Sequence, residues 1–143
     1  MKISIASDHA GYNSKQSIIK FLEQKKIKVL DLGTNSIDSV DYPEYGQKVA
    51  KSVISKKTDK GIVVCGTGIG ISIAANRFKN IRASLCTTVL HAEMTRKHND
   101  SNILALGSRT TKIDDMLKII DVWINTEFEG GRHQDRINKI DFK

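Results

Sequence analysis

A cysteine closes an apolar run and three glycines follow it within five residues, in Ile62-Val63-Val64-Cys65-Gly66-Thr67-Gly68-Ile69-Gly70-Ile71-Ser72. A buried strand that turns through glycines into a helix aims unpaired backbone N–H groups and the positive helix end at one spot, which is an anion site. A thiol at the mouth of such a site is placed to act as a base or a nucleophile, and a helix N-terminus favours its thiolate form. The loop fails as a nucleotide motif. A dinucleotide fingerprint needs a glycine where Ile71 stands and an acid at the end of the next strand, where the chain has Cys86, and no Walker lysine follows Gly70. The alternative is a tight strand-to-helix turn, but that does not require three glycines. Each costs up to ~1 kcal/mol against alanine in regular structure, so the trio suggests backbone closely approaching a ligand.

Further residues carry candidate chemistry. Asp8-His9-Ala10-Gly11 follows the first apolar run and could bind sugar hydroxyls or phosphate, although Asp8 alone could serve as a helix cap. Arg132 and Arg136 are four apart, so on a helix both guanidinium forks face the same way and can clamp one phosphate. The competing reading is a solvated face with Asp135 as local partner. Arg109, directly after the fifth apolar run, is a better-placed third arginine. A phosphate monoester carries about −1.5 to −2 charges near neutrality, which two or three arginines match. His98-Asn99-Asp100 precedes the fifth run, which puts it at the opposite edge of a parallel sheet unless a loop or a partner brings it across. On its own residues His98 reads as a cation at a helix C-terminus. His91 has no companion and reads as surface or structural. The spacing of Cys65 and Cys86 matches no zinc motif, and no metal-ligand cluster is visible along the chain.

The elements that must position these residues alternate. Ile3 to Ala6, Ile27 to Leu32, Ile62 to Cys65, Ala83 to Cys86 and Ile103 to Leu106 read as buried strands, apolar on both faces. Between them, Ile18, Phe21 and Leu22 mark one helix, and Val49, Ala50, Val53 and Ile54 another. Ile113, Met116, Leu117, Ile120, Trp123 and Ile124 mark the strongest, with Thr111 as the expected N-cap and Asp114 and Asp115 in the first turn. The stripe from Thr88 to Lys97 is thin. Such alternation predicts an α/β fold, a parallel sheet with right-handed crossovers and helices on both faces. Ligands then bind beyond the C-terminal strand ends, where the strand order reverses. After the last strong helix, Gly130-Gly131 is expected to end a helix. The short polar arm beyond it has too little apolar surface to stand alone and needs a neighbour to dock on, such as another subunit.

The 143 residues suit one domain, residues 1–143, and 39% hydrophobic with 27% charged content is ordinary for a globular chain. No apolar run approaches the ~18 residues of a membrane span, and no signal-peptide layout opens the chain. Two thiols outside any disulfide framework fit a reducing, cytoplasmic setting. The net charge of +7 is spread along the chain with only 6% aromatic residues, which argues against nucleic acid and fits an anionic small substrate.

Five segments in one order, Ser7-Asp8-His9-Ala10-Gly11, Asp41-Tyr42-Pro43, Cys65-Gly66-Thr67-Gly68-Ile69-Gly70, His98-Asn99-Asp100 and Gly130-Gly131-Arg132-His133, closely resemble the B-type ribose-5-phosphate isomerases over essentially the whole chain. The resemblance implies a Rossmann-like three-layer α/β/α sandwich with a five-stranded parallel sheet and a C-terminal helical arm. It also implies a homodimer, in some relatives a pair of dimers, with active sites shared between subunits. The implied activity interconverts ribose 5-phosphate and ribulose 5-phosphate in the non-oxidative pentose phosphate pathway, without a cofactor or metal. A six-carbon sugar phosphate such as allose 6-phosphate, or a non-catalytic sugar-phosphate sensor, is the alternative.

By the same resemblance Cys65 matches the base that moves a proton between C2 and C1. The backbone of Gly66, Thr67, Gly68, Ile69 and Gly70 matches the loop that stabilises the enediolate, with Thr67 beside the reacting oxygens. His98 matches the ring-opening acid–base residue. Asp8, His9 and Asn99 match sugar or phosphate contacts, and Arg109, Arg132 and Arg136 the phosphate clamp. A related branch isomerises galactose 6-phosphate with two different subunits that each lack part of the motif set, whereas this chain keeps it together. Some relatives use a glutamate as base a few residues further on, but Ser72-Ile73-Ala74 stands there, as in the cysteine subtype. Arg77 occupies a position where lysine is common in the family.

Overall fold

The computed structural model describes residues 1–142. Strands β1 (Lys2–Ser7), β2 (Lys28–Asp31), β3 (Lys60–Cys65), β4 (Ala83–Leu85) and β5 (Ile103–Gly107) alternate with helices α1 (Tyr12–Gln24), α2 (Tyr42–Ile54), α3 (Ile69–Ala75), α4 (Val89–Asn99) and α5 (Ile113–Asn125), and α6 (Arg132–Ile137) forms the arm. All strands pair in parallel, in the order β2-β1-β3-β5-β4. The five expected strands are present, because apolar runs of this length bury best between two helical layers. The expectation of burial on both faces fails for β2 and β4. They are the sheet edges, and their side chains are exposed or half-exposed.

Successive side chains of a strand point to opposite faces, and the core divides accordingly. Ile3, Ile5, Ile62, Val64, Leu104 and Leu106 pack under α1, α4 and α5 with Ile18, Met116 and Trp123. Ala6, Val63, Cys65, Ile103 and Ala105 pack under α2 and α3 with Val49 and Ile71. Cys65 therefore turns toward the α3 layer, the same side from which the glycine loop enters its helix.

Polar anchors complete what the apolar patterns leave open. Helix α4, whose stripe is thin, is tied down by Arg96, which donates to Asp100 Oδ1 and to the Ser101 carbonyl, each at 2.7 Å. Lys15 is fully buried on α1 and places its ammonium 2.5 Å from Asp31 Oδ1 at the end of β2. The same carboxylate accepts the Gly33 N–H at 2.9 Å, and the Gly33 carbonyl accepts the Ser7 N–H at 2.8 Å, so the ion pair ties the loop after β2 to the end of β1. Two expectations are corrected. Lys112, not Thr111, is the N-cap of α5, and the Thr111 hydroxyl is buried without a hydrogen-bond partner among the described residues. Helix α5 ends at Asn125, and the glycines instead open α6, with φ of 67° at Gly130 and 56° at Gly131, backbone that an L side chain adopts only under strain.

At the other end of β3, Lys60 lies half-buried with its ammonium 5.0 Å from the centre of the Trp123 ring. Burial, reinforced by the nearby Arg96 cation and opposed by Asp100 and Asp59, lowers its amine from 10.5 to about 8. The folded chain thus holds fewer protons than the unfolded chain between those values, and stability rises with pH across that window. Lys60→Met should flatten the rise in thermal midpoint between pH 8 and 10. An unchanged slope in that variant would show that Lys60 is not its source.

Candidate active site

The chain leaves β1 toward β2 on one side and leaves β3 toward β4 on the other, so the strand order reverses between β1 and β3. In such sheets ligands bind in a crevice beyond the C-terminal ends of these strands, and the sequence segments expected there converge. The Asp8 N–H donates to the Val64 carbonyl at 3.2 Å, which locks the β1 turn against β3. Asp8, itself buried, accepts the Gly11 N–H at 3.1 Å and so serves as the turn cap. A side chain at Gly11 would strike the Val64 carbonyl oxygen at 2.7 Å, which is why this contact needs glycine. From the β5 side, Ser108 and Arg109 N–H groups donate to the Cys65 and Gly66 carbonyls, each at 2.8 Å.

Within this frame Cys65 is 4% exposed, and its Sγ accepts the Gly68 N–H at 3.1 Å. That bond steadies negative charge on sulfur. Gly68, the N-cap of α3, sits at φ 77°, and a Cβ there would lie 2.6 Å from Leu85 Cδ1 and 2.9 Å from Leu106 carbonyl carbon. The turn therefore tolerates only glycine, and it delivers the Gly68 N–H, at the start of α3, to the thiol. Thr67 is exposed at the loop tip, and its hydroxyl accepts the Ile69 N–H at 3.3 Å. Arg109 lies along the loop, with Nη1 3.2 Å from where a Gly66 side chain would begin. His9 engages the Val40 backbone through Nδ1, 3.2 Å from the N–H and 3.3 Å from the carbonyl, which leaves Nε2 for a ligand.

Tyr42 faces the same mouth, a placement its residue type alone does not signal. A Cβ on Gly70 would sit 2.5 Å from its ring, so the glycine lets the phenol lie flat on the loop. The signal was present in Asp41-Tyr42-Pro43, where the proline starts α2 and fixes the tyrosine at its first turn.

His98, Asn99, Arg132 and Arg136 form a second group elsewhere. Helix α4 starts after β4 at the crevice edge and, with 11 residues, runs about 16 Å back to the other edge, carrying His98 in its last turn. His98 stands in the last turn of α4, as its residues suggest, and makes a further contact. Its ring stacks on His133, with centroids 4.4 Å apart and planes 15° apart. His133 is buried and its Nε2 lies 3.4 Å from Glu129 Oε2, while the Glu129 N–H donates to the Lys97 carbonyl at 3.2 Å. Removal from water, aided by the charges of His98, Arg132 and Arg136 against Glu129, lowers the His133 pKa below its ordinary value. The polar arm thus finds its neighbour in the same chain, on the end of α4. Arg132 and Arg136 flank the buried His133 and are exposed on α6. The structure also assembles a His98, Glu129 and His133 cluster that the linear spacing did not reveal.

One chain therefore carries two groups, Asp8, His9, Cys65 to Gly70 and Arg109 at the crevice, and His98, Asn99, Arg132 and Arg136 at the opposite edge. A strand-end thiol beside a glycine-lined helix start, in a doubly wound parallel sheet, is an arrangement that can move a proton next to an anion held by backbone N–H groups. The Ribose/Galactose Isomerase family model matches residues 3–140. A Rickettsia conorii relative, whose name goes no further than sugar phosphate isomerase, is 51% identical with 96% of each chain covered. The structure of Clostridium thermocellum ribose-5-phosphate isomerase B superposes with a TM-score of 0.97 at 54% identity, covering 98% of this chain and 95% of that one. Ribose-5-phosphate isomerase B from Mycoplasma genitalium, solved with bound ribulose-5-phosphate, matches with a TM-score of 0.94 at 41% identity, covering 97% and 93%. The chain belongs to the Ribose/Galactose Isomerase family, in its ribose-5-phosphate isomerase B branch, and is an isomerase.

Gly107 tests how closely the loop must be held. It pairs with Cys65 in the sheet, and a Cβ there would lie 2.6 Å from the Thr67 backbone. Gly107→Ala should push Thr67 outward, lowering turnover roughly tenfold or more while costing only about 1–3 kcal/mol of stability. Full turnover in a folded Gly107→Ala protein would show that the loop position is not critical.

Proposed function

We propose that this chain interconverts ribose 5-phosphate and ribulose 5-phosphate as a homodimer whose active sites each take residues from both subunits. The observation that carries the reading is the Cys65 thiol, held by the Gly68 N–H at the start of α3. The proton beside a carbonyl is only weakly acidic, and its removal builds charge on oxygen. Preorganised N–H donors at a helix start stabilise such charge, each worth about 10²–10³ in rate. Cys65, as thiolate, takes the proton from C2 of the open-chain aldose and returns it to C1, while the O2 hydroxyl proton passes to O1 across the enediolate. The N–H groups of the Gly66 to Gly70 loop hold the enediolate oxygens, with Thr67 beside them. Every step is a proton transfer between carbon, oxygen and sulfur, so the scheme balances without a cofactor.

The ring form must open first, and for that His98 supplies the acid–base group. Within one chain it stands at the wrong edge of the sheet. A second copy, turned to bring its α4 end and α6 over the crevice, supplies His98 and Asn99 beside Asp8 and His9. It also sets Arg132 and Arg136 against Arg109 around the phosphate. Ile69 and Ile73 on α3 and Val89 and Leu90 at the start of α4 are large apolar side chains left exposed by the single chain, and they fit a subunit contact. Cys65 and Cys86 as free thiols agree with a reducing, cytoplasmic setting. Among the described residues no helix is long and apolar enough to cross a membrane.

A metal-free assay that follows ribulose 5-phosphate formation and solvent deuterium uptake at the reacting carbon tests the reaction. Cys65→Ala should abolish turnover, and a fully active variant would remove Cys65 as the base. His98→Asn should impair cyclic ribose 5-phosphate more than a four-carbon, ring-free substrate such as erythrose 4-phosphate, and equal losses would remove the ring-opening role. Sharing of sites predicts that refolding a mixture of the two variants restores about a quarter of native turnover, since half the dimers carry one intact site. No recovery in mixed dimers would place each site within one chain.

A further inference from the structure

The cluster at the end of α4 carries chemistry beyond a proton donor. His98, Glu129 and His133 each offer one ligand atom, and these atoms all lie within 4.8 Å of one another. We propose that they form a site for a divalent transition metal of the zinc class, and that filling it takes His98 out of ring opening. The second half of this inference rests on the role of His98 given above, whereas the site itself stands on its geometry.

Two imidazoles and one carboxylate are the donors that zinc, nickel and copper favour, and a poor set for magnesium or calcium. In a tetrahedral zinc complex with bonds of 2.0–2.1 Å, donor atoms sit about 3.3 Å apart. His133 Nε2 and Glu129 Oε2 already stand 3.4 Å apart. Closing the remaining distance needs roughly 1.5 Å of movement at most, with a tilt of the His98 ring out of its stack. That movement falls on the two ligands free to make it, since Glu129 is exposed and His98 half-buried, whereas His133 is fixed in the core of the arm. The frame is rigid where it must be. Glu129 is tied by its N–H to the Lys97 carbonyl, one residue from His98, and Gly130 and Gly131 turn the chain so that Glu129 and His133 face the same point.

Binding needs no redox partner. Each imidazole donates a ring-nitrogen lone pair, the carboxylate an oxygen lone pair, and any proton on a liganding nitrogen leaves to solvent. Three protein ligands leave a fourth position for water. Arg132 and Arg136 repel a cation and keep the site weaker than a structural zinc centre, which suits reversible occupancy. A His98 nitrogen engaged by metal cannot deliver a proton to the ring oxygen of a sugar, while Cys65 is not among the ligands and keeps its own proton transfer.

Isothermal titration of the full-length protein with zinc chloride tests the site, in buffer without competing chelators and with the thiols kept reduced. The expected result is one zinc per chain, with affinity lowered roughly tenfold or more in Glu129→Gln and in His133→Ala and unchanged in Cys65→Ala. Glu129 is exposed, so its variant reports on binding even where loss of the buried His133 unfolds the arm. Unchanged affinity in Glu129→Gln, or loss of binding in Cys65→Ala, would overturn the site. Zinc should also depress turnover of cyclic ribose 5-phosphate more than that of erythrose 4-phosphate, reversibly on adding a chelator. Equal depression of both would overturn the inhibitory role. Metal-free enzyme inactive on both sugars would count against the proposed reaction alone, since the titration decides the site without it.

Discussion

A parallel sheet has two unlike edges, and everything about this chain follows from that polarity. Each strand points its carbonyl end to one edge, where helices begin with free N–H groups. At the other edge helices end and expose carbonyls. The thiol and its glycine loop sit in the first kind of surroundings, where negative charge is stabilised by donors. His98 is carried to the second by α4, whose 11 residues span the height of the sheet. Tethering by one short helix keeps the two groups apart in a single copy, however the side chains rotate. In the proposed dimer the exposed apolar residues on α3 and at the start of α4 gain a purpose as well as a location.

The crevice is built by close backbone contact more than by side chains. Gly11 lets the β1 turn rest on the Val64 carbonyl, Gly68 fits under Leu85 and Leu106, and Gly107 admits the Thr67 backbone. Each glycine removes a side chain that would hold two segments apart. The ion pair of the buried Lys15 with the partly exposed Asp31 extends the same frame to the loop after β2, which in turn holds His9 through the Val40 backbone. The reactive groups are thereby fixed by main chain on three sides, and the exposed members, Thr67, Tyr42 and Arg109, are left to follow a ligand.

What could be read from the residues were features local in sequence. Apolar runs reported all five strands, and Cys65 to Gly70 announced a strand, a turn and a helix start in one stretch. Arg132 and Arg136 were legible because helical spacing is a short-range property. Features that depend on packing between distant segments were not. The Tyr42 ring on Gly70 joins residues 28 apart, and the stack of His98 on His133 joins residues 35 apart, so neither leaves a periodic trace. Thr111 looked like a cap by type, but the backbone turned one residue later and enclosed its hydroxyl. The arm offered little apolar surface and was expected to need a neighbour. It docks on its own chain by an aromatic stack and an ion pair, which hydrophobic patterning does not register.

The separation of Cys65 from His98 also bears on how such a chain can change over generations. A mutation that ruins the crevice leaves the α4 end intact, and the reverse holds. If paired chains complete each other's sites, a duplicated gene is free to let one copy lose the thiol side and the other lose the histidine side. The pair still retains one working site, at the cost of obliging each product to find the other. Division of a single polypeptide into two interdependent ones is thus a short evolutionary step from this architecture, opened by nothing more than the direction in which one helix crosses the sheet.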